Sequence, residues 1–294
     1  MPTTPQLPLP SYLTETHIRE LCQRAIAEDV GPGDATTLAI VPPEQTTSAY
    51  FIPRKPCVIA GLPFLAILFG ELSADVAFTP LCCDGERVQA GDKIALVTGN
   101  ARAILTGERT ALNLLQRLSG IATLTRQYVD ALGPDTNTRL LDTRKTTPGL
   151  RLAEKYAVLM GGGQNHRIGL YDRVMIKDNH RALARLIGPN SIARAVQAAR
   201  EKYPQLEIEV EADSLADVRA AAEAGVEYIL LDNMSNDMMA EAIKIIAGRA
   251  KTEASGNITL ERLPTLRNLG LDFVSSGALT HSAPAVDIGL DILN

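Results

Sequence analysis

Six short apolar runs, at residues 140–141, 174–176, 208–210, 228–231, 252–254 and 273–274, alternate with longer amphipathic segments along the second half of the chain. No other feature of the sequence narrows the fold as much. Segments 191–202, 215–224, 238–247 and 258–269 carry apolar side chains at helical spacing, so each is predicted as a helix packed on one face. The last four apolar runs centre near residues 209, 229, 252 and 273, a strand-to-strand repeat of roughly twenty residues. Strands alternating with helices through short connections predict a parallel sheet. A closed eight-stranded barrel takes about 200–250 residues. Roughly 165 of the 294 residues remain after the N-terminal part, which suits an α/β fold built on an open, incomplete barrel of six or seven parallel strands.

The N-terminal part reads differently. Residues 14–29 have helical spacing, with Ile18, Leu21, Cys22, Ala25 and Ile26 on one side, and Gly31-Pro32-Gly33-Asp34 ends the helix. Short strand signals follow at 47–52, 57–60, 76–81 and 94–97, separated by turn dipeptides such as Asp84-Gly85 and Gly99-Asn100 and interrupted by one helix near 63–72. That mixture predicts a small α+β domain. A long helix is expected over 105–132, with a bend or break at Ser119-Gly120.

Charge is unevenly placed. From Arg139 through Lys177 there are eight Lys/Arg and three Asp/Glu, in a chain whose net charge is −5. A cationic island in an acidic protein points to a small polyanion and away from nucleic acid, which would call for a whole basic face. With 46% hydrophobic and 21% charged residues the composition is that of a water-soluble globular protein, and its apolar runs are too short to span a bilayer. The opening MPTTPQLPLP lacks the build of a secretory signal and reads as an extended leader. Four cysteines in no metal-binding or disulfide pattern are expected as free thiols in a reducing cytoplasm.

Each predicted strand of the second half ends in polar residues. Asp142, Thr143, Arg144 and Lys145 follow the first, and Lys177, Asp178 and Asn179 the second. Glu211 and Asp213, Asp232 and Asn233, Ser255-Gly256-Asn257, and Ser275-Ser276-Gly277 end the other four. Parallel barrels carry their active sites at the C-terminal mouth of the strands, so these groups should converge. Arg144, Arg167 and Arg109 suit bidentate grip on carboxylate or phosphate, while Lys145 and Lys177 supply compact charge near the centre. Glu211 and Asp232 suit a divalent metal, held indirectly, or sugar hydroxyls and a developing cation. Ser255-Gly256-Asn257 is expected to open the helix at 258–269 and so to offer backbone N–H groups to an anion, with Ser276-Gly277-Ala278 as the opposite wall. His166 reads equally as a loop brace or as a catalytic group.

The motifs LTGERTALNLLQRLSGIAT, LLDTRKTTPGLR, AEKYAV, GGG-x-NHR, IKDNH, EVEADS, ILLDN, SGN and SGALTHS together resemble the quinolinate phosphoribosyltransferases, from about residue 20 onward. The resemblance implies an N-terminal α/β sandwich over residues 1–115 and a barrel over 116–279, with 280–294 returning to the sandwich. It implies transfer of phosphoribose from 5-phosphoribosyl 1-diphosphate to quinolinate with Mg²⁺, giving nicotinate mononucleotide, diphosphate and CO₂. By motif match, quinolinate falls to Arg109, Thr143, Arg144, Lys145, His166, Arg167 and Lys177, and catalysis to Lys145, Lys177, Glu211 and Asp232. Phosphoribosyl diphosphate falls to Glu211, Asp232, Ser255, Gly256, Asn257, Ser276, Gly277 and Ala278, with Glu211 and Asp232 near Mg²⁺ but no strong direct protein ligand to it. Arg109 would come from a neighbouring subunit, so a homodimer or larger oligomer is implied. The alternative within this group is a nicotinate-using enzyme or the paralogue associated with molybdate transport; three arginines favour a dicarboxylate over nicotinate. A Schiff-base aldolase using Lys145 or Lys177 fits the arginines poorly, and the segment DGERVQAGDKIALVTG lacks the lysine a biotinyl-type hairpin would need at its tip. Thr147 and Ser276 stand where the family usually has Leu and Val.

Overall fold

The computed structural model describes residues 8–186, 188 and 190–293; most of the leader expected from the sequence lies outside them. In chain order the elements begin with α1 (Glu15–Val30), α2 (Ala35–Ile40), β1 (Thr46–Pro53), β2 (Cys57–Val58), α3 (Leu62–Leu72), β3 (Ala77–Pro80), β4 (Arg87–Val88), β5 (Ala95–Asn100) and α4 (Ala101–Leu132). Then follow β6 (Arg139–Leu141), α5 (Arg151–Met160), β7 (Val174–Ile176), α6 (Asp178–Leu183), α7 (Ser191–Lys202), β8 (Ile208–Ala212), α8 (Leu215–Glu223) and β9 (Tyr228–Asp232). The last are α9 (Asn236–Ile246), β10 (Lys251–Ser255), α10 (Leu263–Leu266), β11 (Phe273–Ser275), α11 (Ala278–His281) and β12 (Ile288–Ile292).

They form two compact units. The first takes in residues up to Arg126, Thr146–Gly162 and Leu279 onward; the second is Gln127–Lys145 with Gly163–Ala278. The first unit is built on an antiparallel sheet ordered β12-β1-β5-β3, in which the C-terminal strand pairs with β1, Phe51 opposite Leu290. Its helix α3 is apolar on nearly every face and is accordingly buried, with Leu62, Phe64, Leu65, Leu68 and Phe69 all inaccessible. Phe51, Phe69 and Phe78 close the core with ring centroids 6.2 Å apart. Asp84 accepts from the Gly61 and Leu62 amides at the start of α3 and from the Tyr156 hydroxyl at 2.6 Å.

The expected bend at Ser119-Gly120 is absent: α4 runs unbroken for 32 residues. Ser119 is there for a different reason. Its Oγ accepts from the Ala60 amide at 3.0 Å, fastening the strand-to-helix loop to α4. Gly120 is a close-approach residue, because a Cβ there would lie 2.1 Å from the Pro284 carbonyl oxygen.

The second unit is a six-stranded, fully parallel sheet ordered β6-β11-β10-β9-β8-β7. The sheet is not closed. β6 and β7 are its edges, and β6 gains only a single bridge to Gln164, whose amide donates to the Leu140 carbonyl. The central strands β8 and β9 are buried on both faces, as parallel strands between helices and a barrel interior must be. The helices between them turn one stripe inward, Val218, Ala221 and Ala222 on α8 and Met239, Ala242 and Ile246 on α9. Ser214 and Ser235 cap these two by accepting from the Asp217 and Met238 amides. The helix expected over 258–269 shrinks to the four residues of α10. Pro264 sits in its first turn, and Gly256 and Asn257 before it adopt left-handed backbone, so the chain leaves β10 as a loop.

Because the Pro284 carbonyl occupies the space of a side chain on Gly120, Gly120→Ala should destabilise the protein by roughly 1–3 kcal/mol. Thermal unfolding followed by circular dichroism checks this; an unchanged melting temperature would show that the segment around Pro284 yields freely.

Candidate active site

The C-terminal ends of the parallel strands surround a cavity of about 600 Å³. Its wall takes Thr143, Arg144 and Lys145 from the loop after β6, His166 and Arg167 from the glycine-rich loop, Met175 and Lys177 from β7 and its end, and Glu211 from β8. Leu230, Asp232 and Asn233 come from β9 and its end, Glu253, Ser255, Gly256 and Asn257 from β10 and its loop, and Ser275 from β11. Eleven of the residues given a substrate or catalytic role by the resemblance therefore meet at one place. Ser276, Gly277 and Ala278 do not line it. The Ser276 hydroxyl is buried and donates to the Ile258 carbonyl at 3.2 Å. Arg109 is exposed on α4 in the first unit and does not line it either.

The cationic stretch is divided between the two units. Arg144, Lys145, Arg167 and Lys177 reach the cavity, but Arg151 and Lys155 lie on α5 in the first unit, where Lys155 is fully buried and Arg151 donates to Thr146 Oγ1. Thr147 belongs there too. Its amide and its hydroxyl both donate to Glu154, a fully buried carboxylate that also pairs with Arg117 at 2.8 Å. A leucine could not supply that hydroxyl bond, so this departure from the usual pattern serves a polar interior.

Asp142, fully buried at the end of β6, organises the glycine-rich loop. Its carboxylate accepts from Asn165 Nδ2 at 2.7 Å and from the His166 amide at 2.8 Å. Arg167 follows with its guanidinium pinned, donating to the Arg173 carbonyl at 3.0 Å and to Met175 Sδ at 3.6 Å. Burial, and then the charge of Arg144, press the Arg167 pKa down. Two guanidinium groups held this close, with one partly desolvated, favour an anion between them.

The anionic half of the mouth is Glu211, Asp213 and Asp232, whose carboxylate oxygens lie within 4.8 Å of one another. Burial, and next the charge of Asp232, raise the Asp213 pKa. Lys177 Nζ pairs with Glu211, and Asn233 Nδ2 donates to Asp232 at 2.7 Å. The loops after β9 and β10 are latched together by Arg262, which donates to the Met234 and Gly256 carbonyls. Gly256 is obligatory at φ +84, since a Cβ would lie 2.1 Å from Asn233 Oδ1.

Beneath this mouth lies a layer the sequence reading missed. In a strand, residues two apart share a face. Two positions before Glu211 is Glu209, and two before Ser255 is Glu253; both are completely buried. His166 Nε2 lies 3.0 Å from Glu209 and 3.5 Å from Glu253, and Arg173 is 3.5 Å from Glu209. None of the four carboxylate oxygens receives a well-directed hydrogen bond among the described residues, so charge is what faces them. Burial opposes charge on His166, but the Glu209 contact and the two carboxylates outweigh it and raise the ring pKa. The Arg167 amide, donating to Nδ1 at 2.7 Å, resists a second proton on the ring and leaves Nε2 as the protonated nitrogen facing the acids. Burial, and then the charge of Glu209, push the Glu253 carboxyl up to about 8. Near neutral pH Arg173 thus faces an ionised Glu209 while Glu253 keeps its proton. The period-two rule applied to EIEVEAD and KTEAS would have found both glutamates.

Comparison with known proteins now settles the family. Residues 121–291 match the C-terminal domain described as quinolinate phosphoribosyl transferase, and residues 34–119 match its N-terminal domain. The chain belongs to the quinolinate phosphoribosyltransferase family. It is 45% identical over 275 residues to a probable nicotinate-nucleotide pyrophosphorylase (carboxylating) of Synechocystis, covering 92% of this chain and 91% of that one. To the protein of the same name in Bacillus subtilis it is 41% identical over 281 residues, 95% of each chain. The crystal structure of NadC from Streptococcus pyogenes superposes with a TM-score of 0.89 at 43% identity, covering 96% of this chain and 99% of that one.

The floor makes a pH-dependent contribution to stability. Native Glu253 holds its proton to about pH 8 whereas its ordinary value is 4.5, so the native state binds more protons between these limits. The associated stability is full below the lower value and is lost as pH rises through the upper one. Glu253→Gln keeps the neutral shape and removes the titration. Its melting temperature should match wild type near pH 5 and exceed it by several degrees at pH 9; parallel melting curves for the two proteins at every pH would refute the assignment.

Proposed function

We propose that the cavity joins quinolinate to 5-phosphoribosyl 1-diphosphate and releases CO₂ and diphosphate, leaving nicotinate mononucleotide for NAD synthesis. The observation that carries this is the division of one cavity into a guanidinium-and-lysine side, Arg144, Lys145, Arg167 and Lys177, and a carboxylate side, Glu211 and Asp232. Two adjacent carboxylates on a pyridine ring match the first. Ribose and the cation that develops at its C1 match the second.

The carboxylates Glu211, Asp213 and Asp232 fit a hydrated Mg²⁺, because three acids with oxygens within 4.8 Å of one another, of which Asp213 has its pKa raised by burial and then by the charge of Asp232, gain from a cation. When bound with the diphosphate, Mg²⁺ would offset leaving-group charge. The chain's own residues do the rest. Arg144 and Arg167 fix the pyridine dicarboxylate so that its ring nitrogen faces the ribose, and this placement substitutes for a general base, since the nitrogen carries no proton to remove. Lys177 is paired with Glu211 in this structure; arrival of an anion gives it a second partner and frees Glu211 to face the sugar. Ser255, Gly256 and Asn257 supply polar contacts for the phosphate end, with Thr143 beside the dicarboxylate, and Ser276-Gly277-Ala278 back the phosphate loop. Once the ring nitrogen is quaternary it becomes an electron sink, which allows the adjacent carboxylate to leave.

Arg109 is assigned to the neighbouring subunit's cavity in a homodimer or larger assembly. Its exposure on α4, with no part in the lining of its own chain's cavity, supports this. A cytoplasmic setting is supported by four cysteines that are all free thiols. Among the described residues no helix is long and apolar enough to cross a membrane.

Arg144→Ala and Arg167→Ala should each lower kcat/KM for quinolinate by about 10²-fold, the worth of one desolvated charge-assisted contact. The assay is release of labelled CO₂ from quinolinate in the presence of phosphoribosyl diphosphate; unaltered kinetics in both variants would sink the clamp, and no CO₂ from wild type would sink the function. For Arg109, mixing Arg109→Ala with Arg144→Ala subunits should restore about a quarter of wild-type activity, because each mixed dimer regains one intact site. No recovery after subunit exchange would place Arg109 outside the partner's cavity.

A further inference from the structure

The loops after β9 and β10 line the part of the cavity assigned above to the phosphate of phosphoribosyl diphosphate, and the strand register stops short of them. Asp232 and Ser255 are the last registered pair of the two strands. Beyond that pair the backbone is left-handed at Asn233 (φ +54), Gly256 (φ +84) and Asn257 (φ +52). Glycine enters this region freely, but two asparagines stay in it only where their surroundings hold them. We infer that Arg262 is the positioning residue for phosphoribosyl diphosphate: its guanidinium fixes the two loops in the shape that receives the phosphate. This rests on the proposed reaction and deepens it.

Arg262 stands immediately before α10, its amide bonded back to the Thr259 carbonyl at 3.1 Å. One terminal nitrogen donates to the Gly256 carbonyl at 2.9 Å and the other to the Met234 carbonyl at 2.7 Å. A planar fork with two fixed donors suits two carbonyls on separate loops, and a lysine ammonium has no such fork. The links between the loops along the cavity wall are fewer and longer. The Asn233 amide donates to the Ser255 carbonyl at 3.0 Å, and Asn257 Nδ2 to Asn233 Oδ1 at 3.4 Å. The Thr265 hydroxyl donates to the Arg262 carbonyl at 2.8 Å and accepts from Asn236 Nδ2 at 2.9 Å, which ties the same turn to the start of α9. Arg262 does not line the cavity, whereas Asn233, Gly256 and Asn257 do. It therefore acts on a substrate through those three residues and not by contact.

The register also defines what Arg262 leaves untouched. Asp232 is held by its place in the ladder beside Ser255, and Arg144 and Arg167 reach the cavity from other loops. Loss of the fork should weaken the hold on the phosphate without disturbing the dicarboxylate clamp or the acid that faces the ribose.

Arg262→Ala should therefore raise KM for phosphoribosyl diphosphate about tenfold, the size of a lost charge-assisted hydrogen bond. Its kcat and its KM for quinolinate should stay within about twofold of wild type. Calorimetric titration with ribose 5-phosphate, which carries the phosphate but has no leaving group, should show affinity falling by a similar factor, about tenfold. Unchanged constants for both phosphate ligands overturn the inference. So does an equal loss in kcat and in both KM values, which is what a residue serving the fold alone would give. Should circular dichroism show that Arg262→Ala does not fold, Arg262→Lys carries the test. A rise confined to KM for phosphoribosyl diphosphate in that variant supports the positioning role, and an unchanged KM overturns it. Absence of CO₂ release by wild type is a separate result that removes the reaction; the ribose 5-phosphate titration then still decides the part played by Arg262.

Discussion

Successive side chains in a strand point to opposite faces, so a residue that reaches the barrel interior is followed by another two positions later. This spacing governs the site. In β8 it stacks Glu211 over Glu209, and in β10 it stacks Ser255 over Glu253, while the parallel register sets Glu209 beside Met175 and Glu253 beside Leu230. The result is two layers, a mouth rich in mixed charge and a sealed floor holding an ionic cluster. The floor is fixed by the same backbone hydrogen bonds that make the sheet.

Loops complete what the strands begin, and polar side chains hold them. Asp142 uses both of its oxygens on the chain around His166, which fixes where the imidazole points before any substrate arrives. Arg262 joins the loops after β9 and β10 through two backbone carbonyls. Pre-organisation of this kind matters most for a reaction whose catalysis is largely placement, because groups already held in position need no reordering at the moment of reaction.

Much of this was legible in the sequence because strands and their polar ends leave a repeating pattern. All six parallel strands and the convergence of Arg144, Lys145, Lys177, Glu211 and Asp232 follow from it. What failed, failed for identifiable physical reasons. A glycine after a serine reads as a helix break, yet Gly120 makes room for a distant backbone carbonyl, a tertiary fact that no local window contains. Segment 258–269 has helical spacing, but left-handed backbone at Gly256 and Asn257 delays the helix to four residues. The cationic stretch seemed a single site because charge was summed along the chain; the fold sends Arg151 and Lys155 to a different unit. Glu209 and Glu253 were overlooked because a carboxylate inside a strand of apolar residues reads as a solvent-facing exception, and only the period-two rule turns it inward.

The floor layer also explains why that exception persists. An eight-stranded barrel of the same family of folds fills its interior with branched apolar side chains, and replacing a buried ionic group by well-packed apolar ones is often neutral or stabilising. Two glutamates and a histidine with no bulk solvent therefore weigh against stability, and more so as pH rises and Glu253 is pressed toward ionisation. Such groups persist where the function needs them. A buried acid that keeps its proton at neutral pH is a feature an apolar floor could not offer.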